Sequence, residues 1–126
     1  MAFENVVFSF SLCTSGDQTG KVKRLVDMSG KYGVLPSAGA VVMGVCRDVL
    51  QAASSSMEVV NIGIAKVYAA SSYSVGDLVT TDASGRATKY TPGEGTANFH
   101  VGRLLSSSSA ADDIVSVLLQ LGYNEV

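Results

Sequence analysis

The 126-residue chain has no tryptophan, one histidine, two cysteines and two prolines, and only 16% of it is charged. Each shortage excludes something. His100 with Cys13 and Cys46 offers no local spacing for a zinc site, which takes three or four nitrogen or sulfur ligands. Two cysteines without a wider framework read as thiols that serve as small buried hydrophobes, rather than as a disulfide. The net charge is −2, and basic residues cluster only at Lys21, Lys23 and Arg24. Binding driven by phosphate neutralisation needs several cations on one face, so nucleic acid is not an expected partner. No apolar run reaches the ~18 to 20 residues of a membrane-spanning helix, so no membrane is expected either. The first residues carry Glu4 and no basic leader, and the chain is expected to be made and used without export.

What remains is a hydrophobic, weakly charged chain. Its hydrophobic fraction is 47% and its mean hydropathy +0.30. That argues for an ordered single domain with one core. Serine, threonine, alanine and glycine take the place of charge, which suits either a neutral exposed surface or flanks covered by neighbours.

The periodicity is that of strands. Residues 59–90 form the centre of the pattern: a β-branched run over 59–68, a turn at 74–77, a strand over 78–81, a turn at 83–85 and a return over 86–90. In the first run, Val60, Ile62, Ile64 and Tyr68 share one face and Val59, Ala65 and Val67 the other. Apolar groups on both faces place this strand in the middle of a β-structure. Residues 4–13 alternate as well, with Val6, Phe8, Phe10 and Leu12 opposite Val7, Ser9 and Ser11. A loop over 14–20, strands over 21–28 and 31–35, a break at 36–39 and a short strand over 40–45 follow. Residues 47–53 are ambiguous, because Cys46, Val49, Leu50 and Ala53 have helical spacing. A loop over 90–99, strands over 101–105 and 114–121, and a polar serine loop between them complete the chain. The fold expected is all-β and mainly antiparallel, a small β-barrel or β-tulip-like domain with little helix.

Two stretches repeat. Asp27-Met-Ser-Gly-Lys31 matches Asp82-Ala-Ser-Gly-Arg86, and Gly44 corresponds to Gly102. A serine run and an acidic residue leading a β-run follow in each copy. The pseudo-repeats span about residues 22–63 and 77–122. They read as two similar β-units around a shared core, or as chance likeness among Gly/Ser/Val-rich strands.

No catalytic set emerges. Gly16-Asp-Gln-Thr-Gly-Lys21 is one residue too short for a phosphate-binding P-loop, and Val22 stands where a hydroxyl is required. His100 has no nucleophile elbow near it in sequence. Asp112-Asp113 reads as a solvated turn rather than a cation site, and Glu58 and Asp77 stand alone. No enzymatic activity, cofactor or metal is expected. The N-terminal aromatics are the remaining signal. Phe3, Phe8 and Phe10 fit a core strand, or a segment that packs on a partner through aromatic anchors.

The order of signals from Gly44-Val45 through Ser74-Val-Gly-Asp77, Ser84-Gly-Arg86, Val101-Gly-Arg-Leu104 and Asp113-Ile-Val-Ser-Val-Leu-Leu119 resembles the capsid decoration, or cement, proteins of tailed bacteriophages. The resemblance covers about residues 44–121. Where the family pattern has a Gly-Asp pair before the last strand, this chain has Ala111-Asp112-Asp113. The resemblance implies a virion protein on the outer surface of the capsid, made in the host cytoplasm. It implies the major capsid protein as partner, a homo-oligomer with a trimer favoured, and stabilisation of the head. Residues 1–13 are then an N-terminal strand or arm and residues 14–126 one β-domain. Phe3, Val6, Phe8 and Phe10 become the candidate capsid or subunit contacts, and removing residues 1–10 is expected to lower occupancy while leaving the domain folded. The alternative is a small β-domain that binds a carbohydrate or other ligand, although such sites favour exposed aromatics and this chain has no tryptophan.

Overall fold

The computed structural model describes residues 2–13, 21–27, 35, 41–51, 56–90 and 99–123. Expectations for residues 14–20, 28–34, 36–40, 52–55 and 91–98, including most of the first copy of the repeated turn, fall outside that set. Eight strands run in chain order: β1 Asn5–Cys13, β2 Arg24–Val26, β3 Gly44–Gln51, β4 Ser56–Tyr68, β5 Leu78–Thr81, β6 Ala87–Lys89, β7 Phe99–Leu104 and β8 Ile114–Tyr123. All the strand pairs are antiparallel, in one sheet of order β2-β3-β4-β8-β7-β5-β6, with β1 paired to β4. The all-β, antiparallel expectation is met, and the described residues contain no α-helix.

The sheet is nearly closed into a barrel, and β4 organises it. At Val60 this strand is paired with both Ser9 and Val45, and at Gly63 with both Val6 and Leu119. Since β1 follows one edge of β4 from Ser56 to Ile64, β3 and β8 take the other edge in succession. The ends of the sheet are drawn together at the C-terminal end of β4. Leu25 N–H donates to Gly85 O at 2.8 Å, Tyr68 N–H to Lys23 O at 3.0 Å and Ala70 N–H to Ala87 O at 2.8 Å. Arg24 fastens the seam from outside, donating to Ser84 O at 2.9 Å with its guanidinium 5.1 Å from the Tyr68 ring centroid.

The core is built of short branched side chains, among them Leu25, Val45, Val60, Val67, Val101 and Val117, all fully buried. A small second cluster of Val26, Cys46 and Val59 covers the opposite face of β2 to β4. Cys46 is a thiol there, as the cysteine count predicts; the side chain of Cys13 lies outside the description.

β-Bulges settle one ambiguity of the sequence and correct one expectation. Residues 47–51, ambiguous in sequence, are strand. Register shifts in β3 insert an extra residue after Cys46 and another after Val49. Cys46 and Val49 therefore stand opposite Val59 and Met57, positions two apart on β4, and a spacing of three mimics a helix. The face assignment along β4 also changes. Val60 joins Ala65, Val67 and Ala69 in the core, so the alternation slips between them. The slip lies between Val60 and Gly63, at the extra β4 residue Asn61, and Gly63 follows it with a φ of +121° that is open to glycine and strained for other residues.

Candidate functional site

The N-terminal segment that carries the candidate contacts is an integral strand of the sheet. Over Asn5–Cys13 it pairs with β4 in a constant register except at Phe8, which stands opposite Ile62. One extra residue on each strand, Val7 on β1 and Asn61 on β4, produces that displacement, and beyond it the original register returns. Gly63 makes room for it: a Cβ there would lie 2.3 Å from Asn5 O and 2.8 Å from Val7 N. A bulge of this kind re-aims side chains. Here it turns Val7 and Phe8 outward in succession.

The four candidates accordingly separate. Val6 is half-buried and packs against the core, so it does not share the outward face of Phe8 as simple alternation predicts. Phe8 is 52% exposed and Phe3 46% exposed. Phe10 is paired with Val59 through its backbone, and its side chain lies outside the description. Two residues that sequence reading missed join the exposed set, Val7 at 70% and Ile62 at 49%. The signal for them was an isolated glycine, Gly63, inside a strand pattern.

Phe3 is held across the outer face by Ser116. The Ser116 hydroxyl donates to Phe3 O at 2.8 Å and accepts from Phe3 N–H. Ser116 lies on β8 between Val115 and Val117, which point into the core, so its side chain projects outward beneath the N-terminal segment. Ile64 and Leu118, cross-strand partners, are partly exposed on the same outer side. The outcome is one apolar surface over β1, β4 and β8, with Phe3, Val7, Phe8 and Ile62 as its prominent side chains. Contiguous exposed apolar surface of this sort marks an interaction site.

The remaining polar candidates are structural joints. Glu58 accepts from the Ser9 hydroxyl at 2.7 Å and from Arg47 at 3.0 Å, and Arg47 also approaches Glu4 at 3.8 Å. The Ser9 bond lowers the Glu58 pKa most, burial opposes it, and the hydrogen bond and charge of Arg47 add to the lowering. Asp82 closes the β5–β6 turn, accepting from Ser84 N–H at 2.9 Å and Arg86 N–H at 2.8 Å. Arg86 then spans Asp82 at 2.9 Å and Asp112 at 3.2 Å, and these bonds raise its pKa. Asp113 accepts from Ser109 N–H and hydroxyl and from Ala110 N–H, which lowers its pKa. Asp77 accepts from Ser74 N–H at 3.0 Å. His100 meets Tyr90 as a tilted ring pair at 5.9 Å.

Among the described residues no pocket opens and no three metal-ligating side chains come together. The arrangement supports surface contact and fastens strands.

Comparison with known proteins agrees in kind. The phage cement protein family matches residues 15–120, a longer span than the resemblance read from residues 44–121. The solved structure of the head fiber gp8.5 N base in bacteriophage phi29 aligns with a TM-score of 0.68 at 17% identity, covering 94% of this chain and 98% of that one. At that identity the likeness is one of fold. No curated protein matches. With the family pattern filled along most of an antiparallel barrel, the chain belongs to the phage cement protein family, and its role is a structural one in a phage head.

Proposed function

We propose that this protein binds the outer surface of an assembled phage capsid and stabilises the head without catalysing a reaction. The observation that carries the reading is the apolar outer face of β1 and β4 on a chain of the cement family. Val7, Phe8 and Ile62 present it from paired strands and Phe3 from the segment clasped by Ser116, so little ordering entropy opposes contact. In this reading the major capsid protein is the partner, and the protein is made in the host cytoplasm and joins the head there. A trimer, which the resemblance implies, would multiply modest single contacts at a symmetric site.

The experiment is to mix purified protein with expanded, undecorated heads of its own phage, and to measure co-sedimentation and stoichiometry. Saturation at a fixed ratio to the major capsid protein is expected, together with a higher temperature of head disruption. Heads that are competent for assembly yet take up no protein would overturn the reading. Light scattering of the free protein measures its oligomeric state.

A further inference from the structure

Lys66 is a cation of the apolar outer face; its neighbour there, Arg24, is engaged with Ser84 O and the Tyr68 ring at the end of β4. Lys66 lies on β4 between Ala65 and Val67, both fully buried, so its side chain projects to the outer side of the sheet. Its cross-strand partner is Ser116, the residue that holds Phe3. Ile64 precedes it by two positions on the same strand, with Leu118 opposite Ile64. Lys66 is thus set among apolar groups at half-burial.

Among the described residues no carboxylate pairs with Lys66. Glu4 and Glu58 are taken by Arg47, and Asp82 and Asp112 by Arg86. The Asp113 carboxylate is turned to the Ser109 and Ala110 amides. A cation on an apolar face, without its own counter-ion there, gains most from a partner that brings one. As the contact excludes water, the attraction strengthens, and a wrong partner with a cation at that point is rejected.

We propose that the outer face of β1, β4 and β8 seats a capsid protein surface made of an apolar contact beside a carboxylate, with Phe8 and Ile62 meeting the first and Lys66 the second. This rests on the capsid-binding reading and names the chemistry of the partner at that site. Charge complementarity selects the occupant. A second copy of this chain would bring a second Lys66 to a two-fold contact at the same face, placing like charges together.

Binding to competent undecorated heads tests it, with wild type, Lys66→Glu, Lys66→Gln, and Phe8→Ala combined with Ile62→Ala. All the altered side chains are partly or well exposed, and unchanged thermal unfolding of each variant confirms the fold. Wild type is expected to bind, Lys66→Glu to bind at least about tenfold more weakly, and the double alanine variant likewise. Raising the salt should weaken wild type more than Lys66→Gln, since only the first has an ion pair to screen. Wild-type binding with Lys66→Glu unaffected would overturn the carboxylate contact and leave the capsid reading standing. Absence of wild-type binding would overturn both. Full binding by the double alanine variant, with a loss of self-association in the free protein, would assign the face to a contact between copies and overturn the proposal.

Discussion

Single polar residues hold this domain at points where its apolar pattern leaves backbone groups unpaired. Ser106 and Ser108 belong to a run that reads as a polar loop, yet both are buried. The Ser108 hydroxyl donates to Ser71 O at 2.7 Å and accepts from Tyr73 N–H at 2.9 Å, while the Ser106 hydroxyl accepts from Ser116 N–H at 2.9 Å. Composition does not distinguish a serine that joins strands from one that faces water, because the pairing is made across the fold. Glu58 shows the same limit: isolated in sequence, it joins β1, β3 and β4 through Ser9 and Arg47. Its carboxyl has a folded pKa below the ordinary 4.5. The stability it contributes is therefore complete above that value and is lost as pH falls through the lowered one. Glu58→Gln should flatten the acid limb of the stability curve as pH falls below the ordinary 4.5, an effect below about 1 kcal/mol for a pair this near the surface. Denaturant titrations of both proteins across that range check it, and parallel curves would remove Glu58 from the acid response.

The strands themselves were largely legible, because period-two alternation survives wherever a strand has one buried face. The run over residues 114–121 falls within β8, and the strands read over 78–81, 86–90 and 4–13 match β5, β6 and β1 to within a residue at each end. Bulges were not legible. An inserted residue changes the alternation without any composition signal except an occasional glycine, and so Val6 was grouped with Phe8 and residues 47–53 resembled helix. Glycines that serve close approach are equally silent. Gly44 and Gly102, matched in the pseudo-repeat, do the same work in two places: a Cβ would lie 2.1 Å from Val60 O in one and 2.0 Å from Leu118 O in the other. Each lets a hairpin partner strand come close, β4 for Gly44 and β8 for Gly102. Gly102→Ala must displace backbone rather than a flexible side chain, and a cost of about 3 kcal/mol is expected. Gly76→Ala is the control. Its φ is +90° but nothing lies within 4 Å of the added methyl, so conformational strain alone, about 1 kcal/mol, applies. Equal losses in thermal unfolding would show that crowding at Gly102 is relieved by movement of β7.

At the scale of the whole molecule, the barrel and its contact face cannot be taken apart at residue 13. Sequence reading treats residues 1–13 as an arm whose removal spares the domain, and the family match likewise begins after them, at residue 15. Yet β1 covers one edge of the strand that every neighbouring part of the sheet meets, from Ser56 to Ile64, and Val6 closes against the core. Deleting residues 1–10 removes most of that ladder and the Phe3–Ser116 clasp. It leaves backbone groups of β4 to water and exposes the seat of Val6. At about 1 kcal/mol for each net hydrogen bond lost and about 1.5 kcal/mol for Val6, offset by the ordering entropy of the deleted residues, a loss of at least about 3 kcal/mol is expected. For a domain of this size that is a fall of roughly 10 °C in melting temperature. Substitution of exposed Phe8 should change stability by less than about 0.5 kcal/mol. The two variants therefore separate folding from attachment. If the truncated chain melts with wild type, β1 is a detachable arm after all, and its pairing with β4 contributes little to the domain.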